Sequence, residues 1–450
     1  MASDRVDAVG DGSAEPPFYL RGNYAPVGRE VTAFDLPVEG ALPPELDGLY
    51  LRNGPNPRGE APRHWFLGDG MLHGVRLEAG RASWYRNRWV RTRAFEEGAE
   101  WIGEDGSVDR TVAVANTHVV GHAGRILALV ENAFPTLLGP GLDTLGIFDF
   151  GGRLRTAMTA HPKICPTTGE LHFFGYHFAP PFLTYHRADA SGRLVASEEI
   201  QVAGPSMMHD FAITASRIVF MDLPIVFDPQ AIAAGRFPYV WNDDYGARLG
   251  VMPRGGSDAN VRWFEIEPCY VFHPLNAFDD GDRVVLDAAR YPELWRGGSD
   301  EFESAYLHRW TLDLAADKVR EQALDDRPVE FPRADERRTG LPHRYGYLVC
   351  GAALDRNPSE LVKYDLATGA AEVHDFGEGR SPGEGTFVPA AAGSGEDEGW
   401  VLAFVYDAAR DGSDLVVLDA RQFSAAPQAV IRLPQRVPFG FHGSWIAGAR

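Results

Sequence analysis

The chain is 450 residues long with 44% apolar and 11% aromatic side chains, which supplies a large core and excludes global disorder. Acidic residues outnumber basic ones 63 to 43, and the formal charge of -20 repels phosphate backbones, so nucleic acid is excluded as an expected partner. No apolar run is long enough to span a bilayer, and the chain reads as a soluble, cytoplasmic protein.

Residues 1–17 are polar, acidic and small, without the basic start and apolar run of a signal peptide; they read as a disordered tail ahead of a single domain over residues 18–450. Beyond them, short runs rich in Val, Ile, Phe, Tyr and Trp alternate with Gly, Asp or Asn turns, the pattern of antiparallel hairpins. The first clear hairpin runs from Met71 to Thr92 and turns at Glu78-Ala79-Gly80. Phe182 to Ile200 follows, turning at Ala190-Ser191-Gly192, then Leu307 to Leu324, Leu361 to Phe376 with its turn at Ala367-Thr368-Gly369, and Leu415 to Leu433. Helical periodicity is scarce. Hairpins recurring without long helices between them predict an all-β fold, a β-propeller, in preference to a parallel α/β sheet. Spacing does not fix the number of blades, because Pro224 to Arg262 and Gly297 to Ser304 read as loops that interrupt any period.

The three cysteines, Cys165, Cys269 and Cys350, are far apart and form no CxxC pair, so they read as buried small hydrophobes and not as a disulfide framework or a thiolate metal site. Of fourteen histidines, four share a context, Ala160-His161-Pro162-Lys163, Met208-His209-Asp210-Phe211, Phe272-His273-Pro274-Leu275 and Phe441-His442-Gly443-Ser444. Each adjoins an apolar segment and precedes a residue that turns the chain. In a propeller the inner strand ends of different blades converge on the axis, so ligands scattered through the sequence can meet. Composition alone does not prefer these four over His64, His73, His118, His122, His172 and His177, nor a metal site over histidines packed at strand ends.

The wording around the four makes the choice. AHPKICPTTGELHFFGY at Ala160 to Tyr176, MMHDFAIT at Met207 to Thr214, VFHPLNAFDD at Val271 to Asp280 and RVPFGFHGSW at Arg436 to Trp445 resemble, in order, the four ligand motifs of the carotenoid cleavage oxygenases. LRNGPNP at Leu51 to Pro57, followed by Gly68-Asp69-Gly70-Met71, is similar to the family's opening. The resemblance runs from about Asn23 to the C-terminal end. It implies a seven-bladed propeller with a dome of loops and helices over a central Fe(II) held by His161, His209, His273 and His442.

The family also supplies three glutamates that accept hydrogen bonds from ligand histidines, and motif matching places them at Glu131 in ALVENAFP, Glu330 in VEFPRADER and Glu384 in PGEGTFVP. One ligand is then left without a carboxylate. Four neutral imidazoles leave two of six octahedral positions of a divalent metal free for dioxygen and a solvent or substrate contact. The choice of iron is implied by the resemblance, since raw affinity favours copper or zinc and zinc has no redox chemistry.

The activity implied is cleavage of one conjugated double bond of an apolar polyene, a carotenoid or apocarotenoid, by O2 into two carbonyl products. Such a substrate offers few polar handles, so tunnel shape and aromatic walls must select the bond. Phe134, Phe211, Phe272 and Phe441 are candidate walls, with core packing between blades the competing reading for each. The stilbenoid-cleaving branch carries a lysine immediately before the second-row glutamate, where this chain has Val130, which argues for the carotenoid reading. A retinoid isomerase and a noncatalytic propeller used as a binding scaffold are the remaining alternatives. The apolar stretch Ala133 to Phe148 has two readings, a peripheral membrane contact at the tunnel mouth, as the family implies, or a segment buried under the dome. At Cys165 the family often has aspartate.

Overall fold

A computed structural model describes residues 16–59, 61–103, 106–299, 301–351 and 358–448. The expected tail, 1–17, lies outside the described residues except for its last two prolines. Among the described residues the strands form seven blades of antiparallel meanders, as the resemblance implies.

Blade II is the simplest, with His118–His122, Arg125–Leu129, Thr136–Leu138 and Thr144–Ile147 in sequence order from axis to rim. Blade III repeats the plan from Lys163–Ile164 to Leu194–Ile200, and blade IV from Ala212–Ile213 to Arg262–Glu265. Blades V and VI share one 16-residue strand, Lys318–Arg333. Its first part pairs with Tyr306–Asp313 as the outer strand of blade V, and Val329, Glu330 and Arg333 pair with Tyr345–Cys350 as the inner strand of blade VI.

Closure is mutual. The C-terminal strand Gly443–Ala447 pairs with Gly48–Pro55 and becomes the innermost strand of blade I, while Val38–Gly40, the second strand of the chain, pairs with Ala429–Arg432 at the rim of blade VII. Both ends of the chain therefore cross the seam between first and last blades.

The hairpin turns follow from local chemistry. At Glu78-Ala79-Gly80-Arg81, Ala79 and Gly80 have φ of 47° and 71°, the mirror-image turn whose twist matches paired strands. Gly192 and Gly369 supply positive φ in the next two turns. Pro224 to Arg262, expected as a loop, is partly built into the sheets: Ile225–Phe227 pairs with Tyr239–Trp241, and Arg248–Pro253 is a full strand of blade IV. The pattern is hidden because Gly250 interrupts the apolar run; a Cβ there would lie 2.6 Å from the Trp263 ring, so the glycine makes room for that indole.

The core is distributed. Buried apolar side chains among the described residues form seven clusters, each on a seam between neighbouring blades, for example Tyr50, Val75, Leu402 and Leu415 between blades I and VII. The cluster between blades IV and V extends into an aromatic cap of Tyr24, Trp65, Trp295, Phe302, Phe439 and Phe441, carried mostly on the connections between strands. Among the described residues helices are short, the α-helices being Arg93–Glu97 and Pro229–Ala233. Along the axis runs a cavity of about 810 Å³, lined by residues of the inner strands of blades I to VI and by Glu384 of blade VII.

Candidate metal centre

His442 precedes the inner strand of blade I, His161 that of blade III and His209 that of blade IV, while His273 lies within the inner strand of blade V. At His273-Pro274 the pairing with the neighbouring strand shifts register on both sides of the proline, a bulge that re-aims the imidazole towards the axis. The four rings meet there. One donor nitrogen from each lies within 4.8 Å of the others, and ring centroids of His161, His209, His273 and His442 are 4.4 to 5.1 Å apart in the five close pairs. His161, His273 and His442 are buried and His209 nearly so.

All three sequence-predicted glutamates stand behind these rings. Glu131 contacts His209 Nδ1, Glu330 accepts from His273 Nδ1 at 2.7 Å, and Glu384 accepts from His442 Nδ1 at 2.9 Å. A carboxylate on Nδ1 keeps the proton there and leaves the Nε2 lone pair for the axis. Each glutamate's other oxygen is occupied too: Tyr176 donates to Glu131 at 2.6 Å, Tyr291 to Glu330 at 3.0 Å and the Gly443 N–H to Glu384 at 2.9 Å.

The histidine left without one of the three glutamates is His161, and the structure brings a different carboxylate near it. Asp210 Oδ2 lies 3.5 Å from His161 Nδ1, longer than the other three contacts, and the carboxylate is shared with Lys163 at 2.8 Å and the Phe211 N–H at 2.6 Å. Burial raises the Asp210 pKa while Lys163 opposes the rise. Sequence reasoning missed Asp210, Lys163, Tyr176 and Tyr291 although all but Tyr291 lie inside quoted motifs, because only the fold pairs them with their partners.

Electrostatics keep the rings neutral in part. Burial, followed by the neighbouring imidazoles, pushes His161 and His442 well below the usual histidine range. Burial also pushes His273 down, but Glu330 overrides it and the net shift is upward. His161 Nε2 is buried without a hydrogen-bond partner, and His209 Nε2 faces His273 Nε2 at 3.2 Å. Unpartnered nitrogens converging in a buried space are costly unless something bridges them. A divalent cation fits this donor set: four imidazoles suit iron, copper, zinc or nickel.

Residues 24–447 match the family model described as Retinal pigment epithelial membrane protein. A carotenoid cleavage oxygenase of Mycobacterium tuberculosis is 41% identical, with 95% of this chain and 97% of that protein covered. The chain belongs to the carotenoid cleavage oxygenase family. A carotenoid 9,10(9′,10′)-cleavage dioxygenase of Arabidopsis thaliana is 36% identical, with 96% of this chain and 90% of that one covered. Among solved structures, a Pseudomonas brassicacearum lignostilbene dioxygenase superposes with a TM-score of 0.88 at 31% identity, covering 97% of this chain and all of the other. A variant of Synechocystis apocarotenoid oxygenase gives 0.85 at 28%, covering 96% and 98%.

As in any carotenoid cleavage oxygenase, the surroundings of the centre decide what reaches it. Two of the four candidate wall residues stand there: Phe272 packs on His209 with centroids 5.0 Å apart, and Phe441 joins Trp65 and Phe66 in the cap. Phe211 and Phe134 pack instead in seams between blades, Phe211 edge-on to Phe174 at 5.3 Å. The cysteines are free and buried, and Cys165 contacts Arg254 at 3.1 Å.

Proposed function

We propose that His161, His209, His273 and His442 hold one Fe(II), and that the protein cleaves a conjugated double bond of a carotenoid or apocarotenoid with dioxygen to give two carbonyl products. The observation that carries this reading is the convergence of four imidazoles, two of them hydrogen-bonded through Nδ1 to Glu330 and Glu384 and a third in contact with Glu131, in a chain of this family. Bound there, Fe(II) supplies the redox chemistry through which dioxygen reacts with an alkene, which zinc lacks.

The chain's own residues do the rest. The glutamates hold the Nδ1 protons and fix ring orientation. Phe272, Phe441, Trp65 and Phe66 offer apolar surface on the side from which the chain enters the ligand positions, suited to positioning a polyene and excluding water. Val130 presents no cation next to Glu131, so a phenol oxygen finds no partner at that place; this favours a polyene over a hydroxystilbene. The stilbene reading draws its support from the lignostilbene dioxygenase likeness.

Product analysis tests both. Fe(II)-loaded protein given carotenoids, apocarotenals and hydroxystilbenes under labelled dioxygen is expected to yield paired labelled carbonyl fragments from the polyenes. Labelled aldehydes from the stilbenes alone would reverse the assignment, and intact substrates at verified iron occupancy would reject cleavage.

A peripheral membrane contact is part of the proposal. Leu145 and Ile147, 63% and 46% exposed, alternate on the rim strand of blade II within the apolar stretch named above. Among the described residues no helix is long and apolar enough to cross a membrane. Liposome flotation should recover the protein at low salt and lose it in a Leu145→Glu, Ile147→Glu variant.

A further inference from the structure

Seven inner strands reach the axis. Four carry the ligand histidines within or just ahead of them, that of blade VI carries Glu330, and Glu384 lies between two inner segments of blade VII. Blade II, between the blades of His442 and His161, brings His118, the first residue of its inner strand. This fifth histidine is buried, with its ring centroid 5.9 Å from that of His161 and 5.3 Å from that of His442, yet it is not one of the four whose donors converge.

Its hydrogen bonds explain why. Nδ1 lies 2.8 Å from the Ala160 carbonyl oxygen, which can only accept, so the Nδ1 proton is committed. Nε2 lies 3.3 Å from Ser444 Oγ and 3.3 Å from the Gly443 carbonyl, facing blade I and not the axis. With its proton on Nδ1, the ring accepts at Nε2 from the Ser444 hydroxyl, so one side chain ties the peptide before His161 to Ser444, two residues after His442. The grip matters most for His161, whose Nδ1 is 3.5 Å from its carboxylate while the other three ligands have closer ones. Its backbone N–H is held by Thr159 Oγ1 at 3.1 Å, and the adjoining carbonyl is held by His118.

We infer that His118 is a positioning residue for the metal centre, bracing the His161 and His442 segments against one another through its Nδ1–H bond to Ala160 and its Nε2 contact with Ser444. The inference rests on the reading of His161 and His442 as ligands. Through backbone placement the brace sets how long the site retains its metal, independently of substrate turnover.

The test uses amide isosteres. The Asn side-chain nitrogen occupies the place of Nδ1 and that of Gln the place of Nε2, so His118→Asn preserves the bond to Ala160 and His118→Gln does not. Full-length wild type, H118N, H118Q and H118L are loaded with Fe(II), and release to a colorimetric chelator is timed. H118N should release iron within about threefold of wild type, whereas H118Q and H118L should release it about tenfold faster, the low end for residues that orient metal ligands. The d–d absorption of the Co(II)-loaded proteins should shift in H118Q and return in H118N. Wild-type release rates in H118Q, or H118N as fast as H118Q, would overturn the inference even if H118L fails to fold. A wild type that holds no metal would instead overturn the ligand reading on which it rests.

Discussion

Each of Glu131, Glu330 and Glu384 uses one oxygen on a ligand imidazole and the other on a fixed donor, so the carboxylates cannot rotate away from the rings. Glu330→Gln should therefore lower Fe(II) affinity by about 10- to 100-fold, and Tyr291→Phe, which frees only the far oxygen, by severalfold; competition with a chelator of known affinity measures both. The four histidines and the three glutamates that the structure brings together were legible in the sequence as candidates, because each sits in a local phrase that the family resemblance recognises. Asp210 and His118 were legible as residues and illegible as partners: Asp210 meets His161 and His118 meets Ala160 and Ser444 only after blades I to IV have closed around the axis.

Among elements, the hairpins announced themselves through two-residue turns and alternating strands, whereas the blade count did not. Two features hide it. The Lys318–Arg333 strand serves two blades, and blades I and VII borrow strands from opposite ends of the chain, so no fixed period survives. The crossing that completes blade I is tight: a Cβ on Gly54 would lie 2.7 Å from Gly440 Cα, and one on Gly440 would lie 2.8 Å from Gly54 Cα. Gly440→Ala must push the two backbones apart two residues before His442. It should cost about 1 to 3 kcal/mol in urea unfolding of the metal-free protein and reduce iron retention as well. Wild-type behaviour in both would mean that the crossing yields without disturbing the ligand.

For the whole molecule, seven seams joined into a closed ring lead us to propose that residues 18–450 unfold as one unit, with a single calorimetric transition raised in temperature by Fe(II). Two separated transitions would divide the ring into independent parts. Acid should weaken it. Burial depresses His73 and His172 to about 3 and His186 to about 4, while the unfolded chain titrates near the ordinary histidine value of about 6.5. Between those values the unfolded chain binds protons that the folded one refuses. Their contribution is complete above pH ~6.5 and is lost on acidification at about 1.4 kcal/mol per pH unit for each histidine. Urea unfolding of metal-free protein at pH 7.5 and 5.5 should show that loss, and equal stabilities would rule it out.

The order in which the ligands occur along the chain has a consequence during synthesis. His161, His209 and His273 leave the ribosome early, whereas His442 follows His273 by 169 residues (442 − 273), immediately ahead of the strand that closes blade I. A nascent or prematurely ended polypeptide thus carries three imidazoles, an open ring and an incomplete cage. If these four histidines hold the metal, as we propose, the donor set is complete only once the strand that closes blade I has been made.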